Sequence, residues 1–332
     1  MDSSPGSSDS SEDDIDSIVA WEPQSVLDRF AVGLYTSFYA GIRWILIVTA
    51  VSILAGLLLV TGLSAIVDPF VFSMVILSIV PALGLALFIK MAEVGVQEPL
   101  TLLTATFLLG VLFAGFAGVL NSVGFLIFGT VPVASTILFY YFVVGPVEEG
   151  IKLLAVRLYA YRDIRFDAVI DGAIYGAVAG LGFATIENAL YITAEIEVIG
   201  SPIPVVEEVG DIAAIRALAG PGHVIYSAIA GYYLGMAKFN PGYAGPLIIK
   251  GLTIAALIHA TYNVLVQILP GMLIELTGIG VLSGLLVFII VYDGLAAYYL
   301  YRKLAGYRRA YRASRHQEEQ LDSPELVEFD SR

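Results

Sequence analysis

The chain has 332 residues, 58% of them hydrophobic and only 14% charged, with a formal net charge of −13. A soluble domain carries about 25% charged residues, so this composition excludes an ordinary soluble protein and predicts an all-α polytopic membrane protein. There is no cysteine, which excludes disulfides, thiolate catalysis and Cys-ligated metals.

Residues 1–24 open with a Ser/Asp-rich run and are expected to form a disordered acidic tail. They show no basic n-region or cleavage site, so no signal peptide is expected. Ser25 to Tyr39 mixes apolar residues with Asp28 and Arg29 and reads as an interfacial helix. Runs of about 20 apolar residues span a hydrocarbon core, and eight are predicted. They cover Ile42–Leu63, Phe70–Met91 with Pro81 inside, Leu100–Leu120, Pro132–Tyr159, Ala168–Ile192, Ile212–Ala237, Leu247–Leu269 and Ile279–Arg302. Gly124–Thr130 reads as a short connection between the third and fourth. Residues 25–303 then form the membrane domain, and 304–332 a tail that is first basic and then acidic.

The Lys and Arg residues set the orientation, because they favour the cytoplasmic side. Arg302 to Arg315 after span eight, Lys90, the group Arg157, Arg162 and Arg165, and Lys238 all fall on one side. That places both termini in the cytoplasm of a multi-pass cell-membrane protein. Arg216 is the exception, at the outer start of span six. Gly172, Gly176 and Gly180, then Gly231 and Gly235, repeat every fourth residue, a pattern that lets membrane helices pack closely.

Charged side chains within a bilayer are rare and usually functional. Span four holds Glu148, Glu149 and Lys152. Glu148 and Lys152 are i,i+4 neighbours, the order that favours an ion pair. This predicts Glu148 as the tied carboxylate and Glu149 as the free one. Gly145-Pro146 just before can loosen the helix. Span five adds Glu187 and Asn188, span six His223, and span seven His259 and Asn263 on one helix face. Counted from the span ends, Glu148 and His259 lie near mid-membrane and Glu187 and His223 somewhat further out, depths compatible with one cavity. Asp293 in span eight reads as a pore-lining or packing residue.

Glu-Glu-x-x-Lys, then Phe-x-x-x-Glu-Asn, then an isolated His, then His-x-x-x-Asn, on successive membrane helices, resembles the PrsW family of intramembrane proteases. That family is related to the CAAX prenyl endopeptidases and Abi-type proteins, which carry Arg in the first motif and His at the end of the second. The resemblance covers about Pro146 to Asn263. It implies that Glu148, Glu149 and His223 are the essential catalytic group, that Glu187 and His259 complete it, and that Lys152, Asn188 and Asn263 support it. Some members carry Asp where Asn263 stands.

The implied activity is hydrolysis of a membrane-anchored protein, such as an anti-sigma factor clipped in signalling; the partners are that substrate and the bilayer, with no nucleic acid. In this reading a glutamate acts as base on a water. His223 polarises the water or protonates the leaving amine, and His259 with Asn263 donates hydrogen bonds to the oxyanion. Glu and two His could instead hold Zn²⁺. The His-Glu-x-x-His signature is absent and the two histidines lie on different helices, so the metal-free, glutamate-dependent form is preferred. The competing class is an ion- or proton-coupled transporter using the same Glu/Lys/His relay. It predicts paired motifs in two inverted halves, whereas the polar groups cluster in spans four to seven.

Overall fold

A computed structural model describes residues 23, 25–60, 68–94, 97–128, 135–199 and 206–321. Nearly all of the expected acidic tail at 1–24, and residues 322–332, lie outside them. The described residues are helical, with no strand among them. In chain order the helices are α1 (Val26–Val60), α2 (Pro69–Lys90), α3 (Leu100–Phe128), α4 (Ser135–Phe139), α5 (Gly145–Leu158), α6 (Val169–Ile199), α7 (Val206–Lys238), α8 (Ala244–Leu265), α9 (Leu269–Thr277) and α10 (Val281–Leu321). Seven of them, α1, α2, α3, α6, α7, α8 and α10, are long and apolar enough to cross a membrane. The expected fourth span is instead a jointed run. It consists of α4, a π turn over Tyr140–Val144, and the 14-residue α5.

Several expected boundaries move. The interfacial helix and the first span are one continuous helix, α1. The connection expected at Gly124–Thr130 is helical through Phe128, because α3 simply continues. α6 and α7 extend to Ile199 and from Val206. α10 runs 41 residues, about 60 Å at 1.5 Å per residue. That is twice a hydrocarbon core of ~30 Å, and the helix continues through the residues where the basic tail was expected to begin.

The chain divides into two compact units, Met1–Thr49 and Ala50–Arg332. Among the described residues of the first, Ser25 and Asp28 start α1 with reciprocal bonds. Ser25 N–H donates to Asp28 Oδ2 at 2.8 Å, and Asp28 N–H to Ser25 Oγ at 3.0 Å. Each satisfies a donor that the first helical turn leaves unpaired.

The second unit is built around α6 and α7. α6 is buried on nearly every side, as expected of an apolar helix inside a bundle. The small-residue stripe explains the contact. A Cβ on Gly172 would strike the Gly231 carbonyl, and one on Gly176 the Ser227 carbonyl. The two backbones therefore touch directly, which only glycine permits. α3 lies against α6 in the same way, with Gly110 under the Ala179 carbonyl and Gly182 under that of Phe107. α2 begins at Asp68, whose carboxylate accepts from Phe70 N–H at 2.8 Å and Val71 N–H at 3.2 Å. Pro81 does not interrupt that helix.

Candidate active site

The π turn ends at Gly145-Pro146. Pro146 has no N–H to donate, and a π turn is the local widening that accommodates such a break. Gly145 is required there because a Cβ would sit 2.6 Å from the Ala256 carbonyl of α8. The joint brings the first turns of α5 into the bundle, where Glu148, Glu149 and Lys152 are all buried.

Glu149 is the carboxylate that is held. One oxygen accepts from Lys152 Nζ at 2.7 Å and faces His259 Nδ1 at 2.9 Å, and the other accepts from Ser227 Oγ at 3.1 Å. Glu148 is the freer one. Its Oε1 accepts from Asn121 Nδ2 at 3.1 Å. Its buried Oε2 has no hydrogen-bond partner and stands 3.6 Å from Lys152 Nζ and 3.7 Å from His259 Nε2. This reverses the expected split. Lys152 bonds Glu149 by i,i+3 at 2.7 Å and stands from Glu148, by i,i+4, at the looser 3.6 Å. Both are neighbours on a helix surface, and the groups of α7 and α8 that face Glu149 decide between them.

His223 lies between two helices. Its Nε2 is 2.8 Å from Glu187 Oε2, and its Nδ1 is 2.9 Å from Lys152 Nζ. An ammonium can only donate, so Nδ1 accepts and Nε2 carries the proton given to Glu187. Phe183 completes the packing. Its ring stacks on His223 with centroids 5.6 Å apart and lies 4.3 Å beneath Lys152 Nζ, a cation–π contact. That is the physical reason for a Phe one turn before Glu187. His259 stands edge-on to His223 at 5.3 Å. With Nδ1–H given to the Glu149 carboxylate, its Nε2 holds a lone pair. In that tautomer Nε2 is an acceptor or ligand, and the oxyanion-donor role expected from sequence calls for a proton on Nε2 as well.

Glu148, Glu187, His223, His259 and Asn263 all line one cavity of about 340 Å³. Asn188 does not. It is fully buried behind the site, where it donates to Ser78 Oγ at 3.1 Å and accepts from Arg216 Nε at 3.0 Å. Arg216 in turn donates to Glu187 Oε2 at 2.7 Å. The basic residue that broke the orientation pattern is thus a site residue, present to pair with Glu187. Sequence reasoning did not assign Asn121, Ser227 or Tyr226 to the site. Tyr226 packs on His259 at 5.5 Å and donates to the buried Asp293, which gives Asp293 a packing and hydrogen-bonding place behind His259. Arg216 alone carried a signal, as a lone outer-side cation.

Glu148, His223 and His259 each offer one ligand atom, and the three atoms lie within 4.8 Å of one another. A cavity lined by a carboxylate with one unbonded oxygen and two imidazoles, in a bundle of helices long and apolar enough to cross a membrane, carries the groups a membrane hydrolase needs. Residues 98–295 match the family described as PrsW family intramembrane metalloprotease. The protease PrsW of Halalkalibacterium halodurans is 30% identical over 192 residues, 58% of this chain and 82% of that protein. That of Clostridioides difficile is 29% identical over 196 residues, 58% and 79% respectively. That of Bacillus subtilis is 34% identical over 124 residues, 36% and 50%. No solved structure matches. The chain belongs to the PrsW family of intramembrane proteases.

Proposed function

We propose that the chain hydrolyses a peptide bond of a membrane-anchored protein at the cavity lined by Glu148, His223 and His259. One observation carries this reading: Glu148 Oε2 is buried, unpartnered and turned toward two imidazoles. A buried polar atom without a partner is costly, so a water, a substrate group or an ion is needed to complete it.

A divalent cation fits these residues. A carboxylate and two imidazoles are the protein ligands of many catalytic zinc sites, and a carboxylate on the far nitrogen of a ligand histidine, as Glu149 is on His259, orients such ligands. Glu148, His223 and His259 would hold the ion, with His223 giving up Lys152 or Glu187 to do so. When bound, the ion polarises the scissile carbonyl and acidifies a water. This departs from the metal-free preference of the sequence reading, because the family description names metal chemistry and the donor set suits it.

The chain's own residues handle the protons. The Glu148 carboxylate takes the proton of the water that attacks the carbonyl carbon. It returns that proton to the leaving nitrogen as the C–N bond breaks, a role that needs its one free oxygen, so Glu148 serves either as this base or as a ligand. Glu149, itself held by Ser227, holds His259, while Glu187, with Arg216 behind it, holds His223. The amide of Asn263, one turn after His259, faces the cavity and supplies a donor for the oxyanion.

The test is cleavage of a membrane-anchored reporter by the protein in liposomes. Glu148→Gln is expected to lower the rate about 10²–10⁴-fold, the usual worth of a general base. Cleavage at the wild-type rate by that variant would end this reading. Loss of activity with a chelator, restored by Zn²⁺, supports the cation; a rate indifferent to the chelator removes the cation and leaves Glu148 in its role.

A further inference from the structure

We propose that the cleft between α2 and the basic half of α10 binds the headgroup of an anionic phospholipid. The cleft has a volume of about 800 Å³ and shares no lining residue with the catalytic cavity. Its apolar part is formed by Leu85 and Phe88 of α2, Ile225 of α7 and Leu300 of α10, with Arg302 beside Leu300. Arg308, Arg309 and Arg312 follow further along α10. Among the described residues, none of these four guanidiniums has a carboxylate within 4 Å. The Nε of Arg308 is buried and has no hydrogen-bond partner.

Four cations gathered without a counter-charge repel one another, and a buried donor without an acceptor is expensive. Each condition calls for an acceptor-rich anion. The guanidinium fork matches the oxygens of a phosphate. The apolar continuation toward Ile225 matches an acyl chain and suits no free phosphate. Basic pockets between membrane helices on the side where Lys and Arg collect bind acidic headgroups in this manner. The α10 helix is long enough to place these arginines just past the hydrocarbon core, level with headgroups.

The experiment uses the full chain in a neutral detergent with equal amounts of phosphatidylglycerol and phosphatidylcholine. Native mass spectrometry then counts the lipid each protein retains. Phosphatidylglycerol is expected to be kept in preference. Arg308→Ala with Arg312→Ala should lower its retention by roughly fivefold per arginine, while Arg308→Lys with Arg312→Lys keeps most of it. Both pairs should elute as the wild type does, since the arginines hold no ion pair in the fold. Equal retention of the two lipids overturns the proposal, as does an alanine variant that keeps its phosphatidylglycerol. Displacement of the lipid by inorganic phosphate also overturns it, because the site would then be for a free anion. No outcome depends on proteolytic activity.

Discussion

At the residue scale the site consists of one held carboxylate and one freer carboxylate, and each answers to a different measurement. Glu149→Gln replaces the charged carboxylate that orients His259 with a neutral amide, a weaker acceptor. We expect cleavage to fall about 10–100-fold, the usual effect of losing the partner of a functional histidine, which is less than the loss in Glu148→Gln. Equal losses in the reporter assay would erase the distinction. Lys152 is bonded to Glu149 and His223 and is fully enclosed. Removing one partner of a buried pair strands the other, at about 3–5 kcal/mol. Lys152→Met should therefore unfold at lower denaturant, and adding Glu149→Gln should recover part of the loss. Both are read by chemical denaturation in detergent. The composition of this cluster was legible in the chain, since Glu, Glu, Lys, Glu, His and His stand out against apolar runs. The division of labour between Glu148 and Glu149 was not legible. Lys152 is within reach of both, and the deciding neighbours, Asn121, Ser227 and His259, come from three other helices.

At the scale of elements, the contact between α6 and α7 depends on the absence of side chains. A Cβ on Gly231 meets the Gly172 carbonyl, which belongs to backbone and cannot turn aside. Gly231→Ala is expected to destabilise the fold by about 1–3 kcal/mol through overpacking. Gly84→Ala in α2, where a Cβ meets nothing within 4 Å, should be nearly neutral. Thermal unfolding of the two variants side by side checks this; equal melting temperatures would contradict it. The four-residue spacing of the glycines announced a close helix contact, and α6 and α7 are where it forms. The jointed entry to α5 was only half announced. Gly145-Pro146 signalled a break, but neither its form as a π turn nor the Ala256 carbonyl over Gly145 could be read along the chain.

At the scale of the whole molecule, buried acids also lie away from the catalytic cluster. Glu98 lies just before α3, where the Tyr175 hydroxyl donates to it. Burial pushes its carboxyl up from 4.5 to about 8. The folded chain then keeps a proton here that the unfolded chain has released. The stability contributed by this group is complete below about 4.5 and is lost as pH rises toward 8. Glu98→Gln, fixed in the neutral form, should flatten the fall in melting temperature between pH 5 and pH 8. Parallel slopes in the two proteins would refute it. Asp163 in the loop after α5 has the opposite sign. Its hydrogen bonds from Arg165 hold it down to about 2, so it stays charged across this range and adds no slope.

The sequence by itself determined the helical membrane class, the close glycine-mediated helix contact and the set of polar residues, because each rests on composition or on spacing along one helix. A bilayer leaves few ways to accommodate a charge, so a buried Glu or Lys is visible without knowing its neighbours. Only the tertiary structure decided which glutamate keeps a free oxygen, which nitrogen of His259 faces the cavity, and why Arg216 lies on the wrong side of the charge pattern. Those answers depend on hydrogen bonds between side chains that are 27 to 110 residues apart. No local periodicity encodes such pairs; they exist once α3, α5, α6, α7 and α8 are packed around one cavity.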